Sequence, residues 1–159
     1  MGDNAGMENH ETGQNQNRDH TAPSLSAAAT RYPDVMTAMQ LYNAVMGITH
    51  DPGDLMNRID ILQSTLARPM QRAHYEEADL PRQVAALLWG IIHNHPFADG
   101  NKRAGLHIAF TFARVNGFDI LATDDEVVAL GYAIAEGRME EDAVDAWLRA
   151  HGASRTEVG

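Results

Sequence analysis

The chain has 159 residues, enough for one compact domain, and carries a formal net charge of −10 with few aromatic side chains. That charge argues against a broad nucleic-acid surface, which needs clustered Lys and Arg, so direct nucleic-acid binding is not expected. The lack of cysteine excludes disulfide staples and thiolate metal sites, and no apolar run approaches the length of a membrane span.

Residues 1–30 are rich in Asn, Gln, Gly, Asp, Ser and Thr and nearly free of large apolar groups. Such a segment cannot bury enough surface to offset its ordering entropy, so a disordered polar tail is expected. It has no basic start leading into an apolar run; no secretory signal is expected, and the cytoplasm is the expected compartment. From Pro33 the pattern turns helical, with Met36, Met39, Tyr42, Ala44 and Val45 forming an apolar stripe that ends near Gly47. Asp51-Pro52-Gly53 predicts a turn. Leu55, Ile59, Leu62 and Leu66 predict a second helix that Pro69 stops. Met70 to Asp79 lack periodicity and read as a loop or short hairpin.

Val84, Leu87, Leu88, Ile91 and Ile92 recur at the spacing of a buried helix, which must end around Asn94–Pro96 because a residue before proline disfavours helical angles. Another helix opens near Asn101, carries Leu106, Ala109, Phe110 and Ala113 on one face, and closes at Asn116-Gly117. Thr123 and Glu126 form a capping box that starts a helix through Val127, Leu130 and Ile134 to Gly137. A last helix is predicted from about Glu140 to Ala150, burying Ala143, Val144, Trp147 and Leu148. Alternating strand patterns are scarce, so the fold class is all-α. The domain is placed at residues 31–152, with a C-terminal tail over residues 153–159.

The join between the two strongest helices reads His95-Pro96-Phe97-Ala98-Asp99-Gly100-Asn101-Lys102-Arg103. A polar loop that runs into a helix N-terminus presents unpaired backbone N–H groups and the positive end of a helix dipole, a ready anion site. Gly100 permits positive φ and close approach to a ligand. Lys102 and Arg103 add cations to a first turn that ordinarily favours acids, and a bound phosphate is a reason to accept that cost. Lys102 is also the only lysine among the 12 Lys and Arg residues of the chain.

Histidine is the side-chain type whose charge changes near neutral pH, which makes His95 a candidate general base. Asp99 offers hard oxygen suited to Mg²⁺ beside phosphates. Phe97, between polar neighbours, is expected to anchor the loop in the core. Taken singly, each has a duller role: a structural histidine, a common Asp-Gly turn, a surface arginine. Together they are the parts that phosphoryl or nucleotidyl transfer requires.

At this point the sequence resembles the Fic/Doc family, marked by His-x-Phe-x-Asp/Glu-Gly-Asn-x-Arg; His95 to Arg103 match every fixed position. The resemblance extends over about residues 40–150, through Leu66-Ala67-Arg68-Pro69, Asn116-Gly117, Ala135-Glu136-Gly137-Arg138 and Trp147-Leu148. It implies a compact bundle of about six helices with a short flap, placed within residues 70–79, where Tyr75 is a plausible flap residue. By resemblance, His95 would deprotonate a target hydroxyl and Asp99 would hold Mg²⁺. Gly100, Asn101, Lys102 and Arg103 would bind the phosphates of ATP or another nucleoside triphosphate, with Phe97 packed beneath them.

Within the family, AMP-transferring Fic enzymes usually carry Gly where this chain has Lys102, and a second Arg where it has Leu106. Asn-Lys-Arg followed by that leucine resembles instead the Doc (death-on-curing) toxins, which move the γ-phosphate of ATP to a threonine of elongation factor Tu. Gly100, where some Doc proteins have Ala, is neutral for this choice. No Ser or Thr is followed by Glu at the fourth position, so the family's internal inhibitory pattern is absent, and restraint would come from an antitoxin in trans. The resemblance therefore implies a bacterial phosphotransferase toxin, with AMP transfer to a protein hydroxyl as the alternative and a catalytically silent anion- or peptide-binding module as a second one. No zinc site is expected from His93, His95 and His107, since Pro96 disrupts the local geometry. Arg58, Asp60 and Arg68 read as ion pairs on a solvated face.

Overall fold

The computed structural model describes residues 29–47 and 58–155. The expected tail up to residue 28, the turn at Asp51-Pro52-Gly53, Leu55 and residues 156–159 lie outside the described residues. Among those described, six helices form an all-α bundle: α1 (Val35–Met46), α2 (Ile59–Glu76), α3 (Leu80–Asn94), α4 (Asn101–Val115), α5 (Asp124–Ala135) and α6 (Glu141–His151). Two short strands, β1 (Phe118–Ile120) and β2 (Gly152–Ser154), pair antiparallel with Asp119 opposite Ala153. No helix among the described residues is long and apolar enough to cross a membrane.

Helix ends follow from local chemistry. The Asp34 carboxylate accepts from the Thr37 N–H at 2.8 Å to start α1, and Gly47 closes it in the left-handed region. Asp79 caps α3 just ahead of Pro81, and Thr123 with Glu126 completes the capping box of α5. Helix α3 is the axis of the bundle: Val84 to Leu88, Ile91 and Ile92 are buried, and α2, α4, α5 and α6 all pack against it. The apolar stripe of α1 is rotated from the expected one. Ala38, Met39 and Tyr42 face the core while Met36 and Ala44 are exposed, and Ala143 is likewise exposed on α6.

One sequence expectation is corrected. Helix α2 does not stop at Pro69 but runs through it to Glu76, ending at Glu77 in the left-handed region. An interior proline costs about 3 kcal/mol, yet here Leu62, Thr65, Leu66 and Pro69 bury one face of α2 against α3. Beyond the proline, the helix is held by Arg72, which pairs with Glu141 on α6. Most of 70–79 is therefore helix, with no hairpin flap, and Tyr75 is an exposed residue of α2. The second difference is the β1–β2 pair, which takes in Ala153 and Ser154 from the segment read as a tail. Strands of three residues are too short to show a period of two.

Candidate active site

The loop between α3 and α4 is held from three sides. Pro96 prevents α3 from continuing, and His95 closes it with φ 51 and ψ 57, its N–H donating to the Ile91 carbonyl at 3.2 Å. A left-handed L-residue is strained by about 1–2 kcal/mol, and the strain persists because neighbours fix the backbone on either side. Arg58 donates through Nη1 to the carbonyls of both His95 (3.0 Å) and Phe97 (3.1 Å). The Phe97 ring is fully buried and stacked on Tyr42, with centroids 4.2 Å apart and planes 4° from parallel. The Tyr42 hydroxyl donates to the Asp99 carbonyl at 3.1 Å. Burial, and then the nearby Asp99 charge, pushes that phenol above its ordinary pKa, which keeps it protonated as a donor.

Asn101 closes the loop from its far end. Its Oδ1 accepts from the Phe97 N–H at 3.0 Å, and its Nδ2 donates to the Phe97 carbonyl at 2.9 Å. The side chain is thus committed to the loop, leaving its backbone N–H toward α4's open end. Gly100 adopts φ 72, and a Cβ there would lie 2.5 Å from the Met46 sulfur, so both its conformation and its surroundings call for glycine. Its N–H donates to Asp99 Oδ1 at 2.7 Å, and the other carboxylate oxygen has no partner among the described residues.

Helix α4 begins unlike the others. Asp34, Asp79 and Thr123 cap α1, α3 and α5, while α2 and α6 carry Asp60 and Glu141 in their first turns. Among the described helices, α4 alone has neither a capping side chain nor an acid in its first turn. Its first intrahelical bond runs from Ala104 N–H to the Gly100 carbonyl at 2.8 Å, so the N–H groups of Asn101, Lys102 and Arg103 have no acceptor among the described residues. Arg68, Arg72, Arg82, Arg138, Arg149 and Arg155 each meet a carboxylate, whereas Lys102 and Arg103 meet none among the described residues.

These groups surround one cleft of about 600 Å³, lined by His95, Asp99, Gly100, Asn101, Lys102 and Arg103 together with Met46 and Tyr132. The His95 imidazole and the Asp99 carboxylate are exposed, and Phe97 lies beneath the loop outside the cleft. Of the other histidines, His107 faces a separate groove beside Leu106 and Phe110, and His93 stacks on Trp89 with centroids 4.2 Å apart.

Sequence reasoning passed over Arg58, Tyr42 and Tyr132. Arg58 is not an ion-pair residue among those described but the brace of the loop. Tyr42 was legible only as core, and Tyr132 carried no signal. Arg68 does form an ion pair, but with the buried Glu141 rather than on a solvated face.

The Fic/DOC family model matches residues 32–113. The protein Toxin Doc of Mycolicibacterium smegmatis (strain ATCC 700084 / mc(2)155) is 37% identical over 68 residues, which are 41% of this chain and 52% of that protein. The chain thus spans about half the length of the curated relative it matches.

Proposed function

The chain belongs to the Fic/Doc family, and on that premise we propose that it is a Doc-type toxin that transfers the γ-phosphoryl group of ATP to a hydroxyl of a protein target. The observation that carries this reading is the α4 N-terminus: among the described residues, three unpaired N–H groups and two cations without counterions, opening on a cleft that an exposed imidazole also lines. Positive groups preorganised without a partner are what a polyphosphate needs, and transfer of a phosphoryl group is chiefly a matter of positioning and charge stabilisation.

In this scheme His95 takes the proton of the target hydroxyl as its oxygen bonds to the γ-phosphorus. The bond from that phosphorus to the β,γ-bridging oxygen breaks, and ADP leaves with the electron pair. The N–H groups of Asn101, Lys102 and Arg103, with the two cationic side chains, bind the phosphates, and Gly100 lets the backbone come close. Asn101 acts through its side chain on Phe97 as well, holding the loop in shape. Asp99 suits Mg²⁺, because only one of its oxygens is engaged by Gly100 and the carboxylate is exposed to the cleft. When bound, the ion would neutralise phosphate charge.

Phosphoryl transfer is favoured over AMP transfer by Lys102 and Leu106. Leu106 leans on α5, where a Cβ at Gly131 would lie 3.1 Å from its Cδ1, so apolar packing occupies the position at which AMP transferases carry a second arginine. By the same resemblance, the proposed target is a threonine of elongation factor Tu in the cytoplasm, and the proposed restraint is an antitoxin in trans. Incubation of the chain with a cell extract and labelled ATP tests the reaction. Label from the γ-position should enter a protein and His95→Ala should abolish its entry, a loss of at least about 100-fold. Entry of label from the α-phosphate would replace this reading with AMP transfer. No transfer from either position, with growth inhibition unaffected by His95→Ala, would leave a silent binding module.

A further inference from the structure

Lys102 has no carboxylate partner among the described residues, in a chain with 22 Asp and Glu residues. Its ammonium lies instead over the Tyr132 ring, 4.6 Å from the centroid. Tyr132 belongs to α5, is 49% exposed and lines the same cleft. Its hydroxyl makes no hydrogen bond among the described residues, so the ring face is its engaged surface. The helix that carries it is held in place: α5 approaches α4 at the preceding residue, Gly131, against Leu106.

We propose that Tyr132 is a positioning residue for Lys102, holding its ammonium at the cleft so that an incoming polyphosphate meets it from a fixed direction. Lysine is a compact charge on a flexible four-carbon stem, and much of its binding strength is lost in ordering that stem. A cation over a tyrosine face at an exposed site is favoured about two- to five-fold over free solvation. That bias orders the lysine beforehand without neutralising it, as a carboxylate partner would. The inference rests on the cleft being a polyphosphate site.

Binding of tripolyphosphate and of adenosine to the full chain, measured by calorimetry, provides the test. Tyr132→Leu should weaken tripolyphosphate about two- to five-fold and leave adenosine unchanged, while Tyr132→Phe, which keeps the ring, should bind as the parent does. In a Lys102→Ala background, Tyr132→Leu should have no further effect. Since Lys102 is the only lysine, reductive ¹³C-methylation labels it and the α-amino group alone. Its methyl signals should be moved upfield by the ring in the parent and in Tyr132→Phe, and should not be in Tyr132→Leu. Unshifted methyls in the parent, an undiminished effect in the Lys102→Ala background, equal weakening of adenosine, or no tripolyphosphate binding would each overturn the inference. Coupled tripolyphosphate binding without transfer of any label would leave it standing and overturn the transfer reading alone.

Discussion

Around Glu141, at the start of α6, Arg68 donates to the carboxylate at 2.7 Å, Arg72 at 2.9 and 3.0 Å, and Arg82 stands 3.9 Å away. At the start of α4, Lys102 and Arg103 stand beside three open N–H groups, and neither cation is paired with a carboxylate among the described residues. Both regions join a helix N-terminus to a set of cations, and they differ in whether the chain supplies the negative charge. Where it does, the result is a fixed tie that fastens α6 to α2 and α3, and the carboxylate is buried. Where it does not, the charge is left for something outside the chain. In an acidic protein, then, a cation that has found its carboxylate is architecture, and one left unpaired in a cleft calls for a ligand.

Removing the internal anion breaks the comparison most directly. Glu141→Gln keeps the shape of the side chain and leaves Arg68, Arg72 and Arg82 crowded around a neutral group. Losing one partner of a buried pair costs about 3–5 kcal/mol. Because these arginines are 20–31% exposed, a loss of about 2–3 kcal/mol is expected, allowing for screening by solvent. Urea denaturation should show the midpoint falling with little change in slope. Tripolyphosphate affinity at the cleft should not change, since no residue of the Glu141 cluster lines it. A variant as stable as the parent would mean that the cluster is surface decoration.

Gly100→Ala tests the other region, with a smaller effect on stability. Alanine at φ 72 is strained by roughly 1 kcal/mol, and its methyl would press on the Met46 sulfur at 2.5 Å. Methionine is flexible and can give way, but it must do so at the wall of the cleft. The expected outcome is a loss of about 1–2 kcal/mol in stability with a clear drop in label transfer. Met46→Ala in the same chain should recover part of the transfer by making room. If that second substitution recovers nothing, the conformation of Gly100, not its surroundings, is what matters.

The two regions were unequally legible in the sequence. The segment from His95 to Arg103 is contiguous, so its anion-seeking character follows from residue types and from the breaks at Pro96 and Gly100. The Glu141 cluster draws on residues far apart in the chain, and nothing in the local pattern of Arg68, Arg72, Arg82 or Glu141 brings them together. The same holds within the cleft. Arg58 reaches the loop, and Tyr132 the cleft, from distant elements, and only the packing of α2 and α5 shows that they do. The six helices were readable from spacing and caps, except where Pro69 suggested a stop. There tertiary burial overrode the local preference, which is the circumstance that single-sequence reasoning sees least well.

A third pair lies between the two extremes and sets the smallest expected effect. Asp79 caps α3 and meets Arg149 of α6, accepting at 2.6 and 2.9 Å, but both side chains are about half exposed. The hydrogen bonds from Arg149 hold its carboxyl below the usual aspartate range, against a weaker push upward from desolvation. A depressed folded-state pKa means that the folded form binds the proton less readily than the unfolded chain does. The stabilisation is therefore present above the unfolded value of 3.8 and disappears as pH falls through the folded one. Asp79→Asn should lower stability near neutrality by less than about 1 kcal/mol, and the difference from the parent should vanish as pH falls below about 4, which flattens the acid limb of the stability–pH curve. High salt should shrink the difference because the pair is exposed. Tripolyphosphate binding should not follow this limb, since Asp79 and Arg149 lie outside the cleft. An affinity that tracked the titration of Asp79 would mean that the internally paired cations and the open cleft are coupled, and that the separation drawn between them is false.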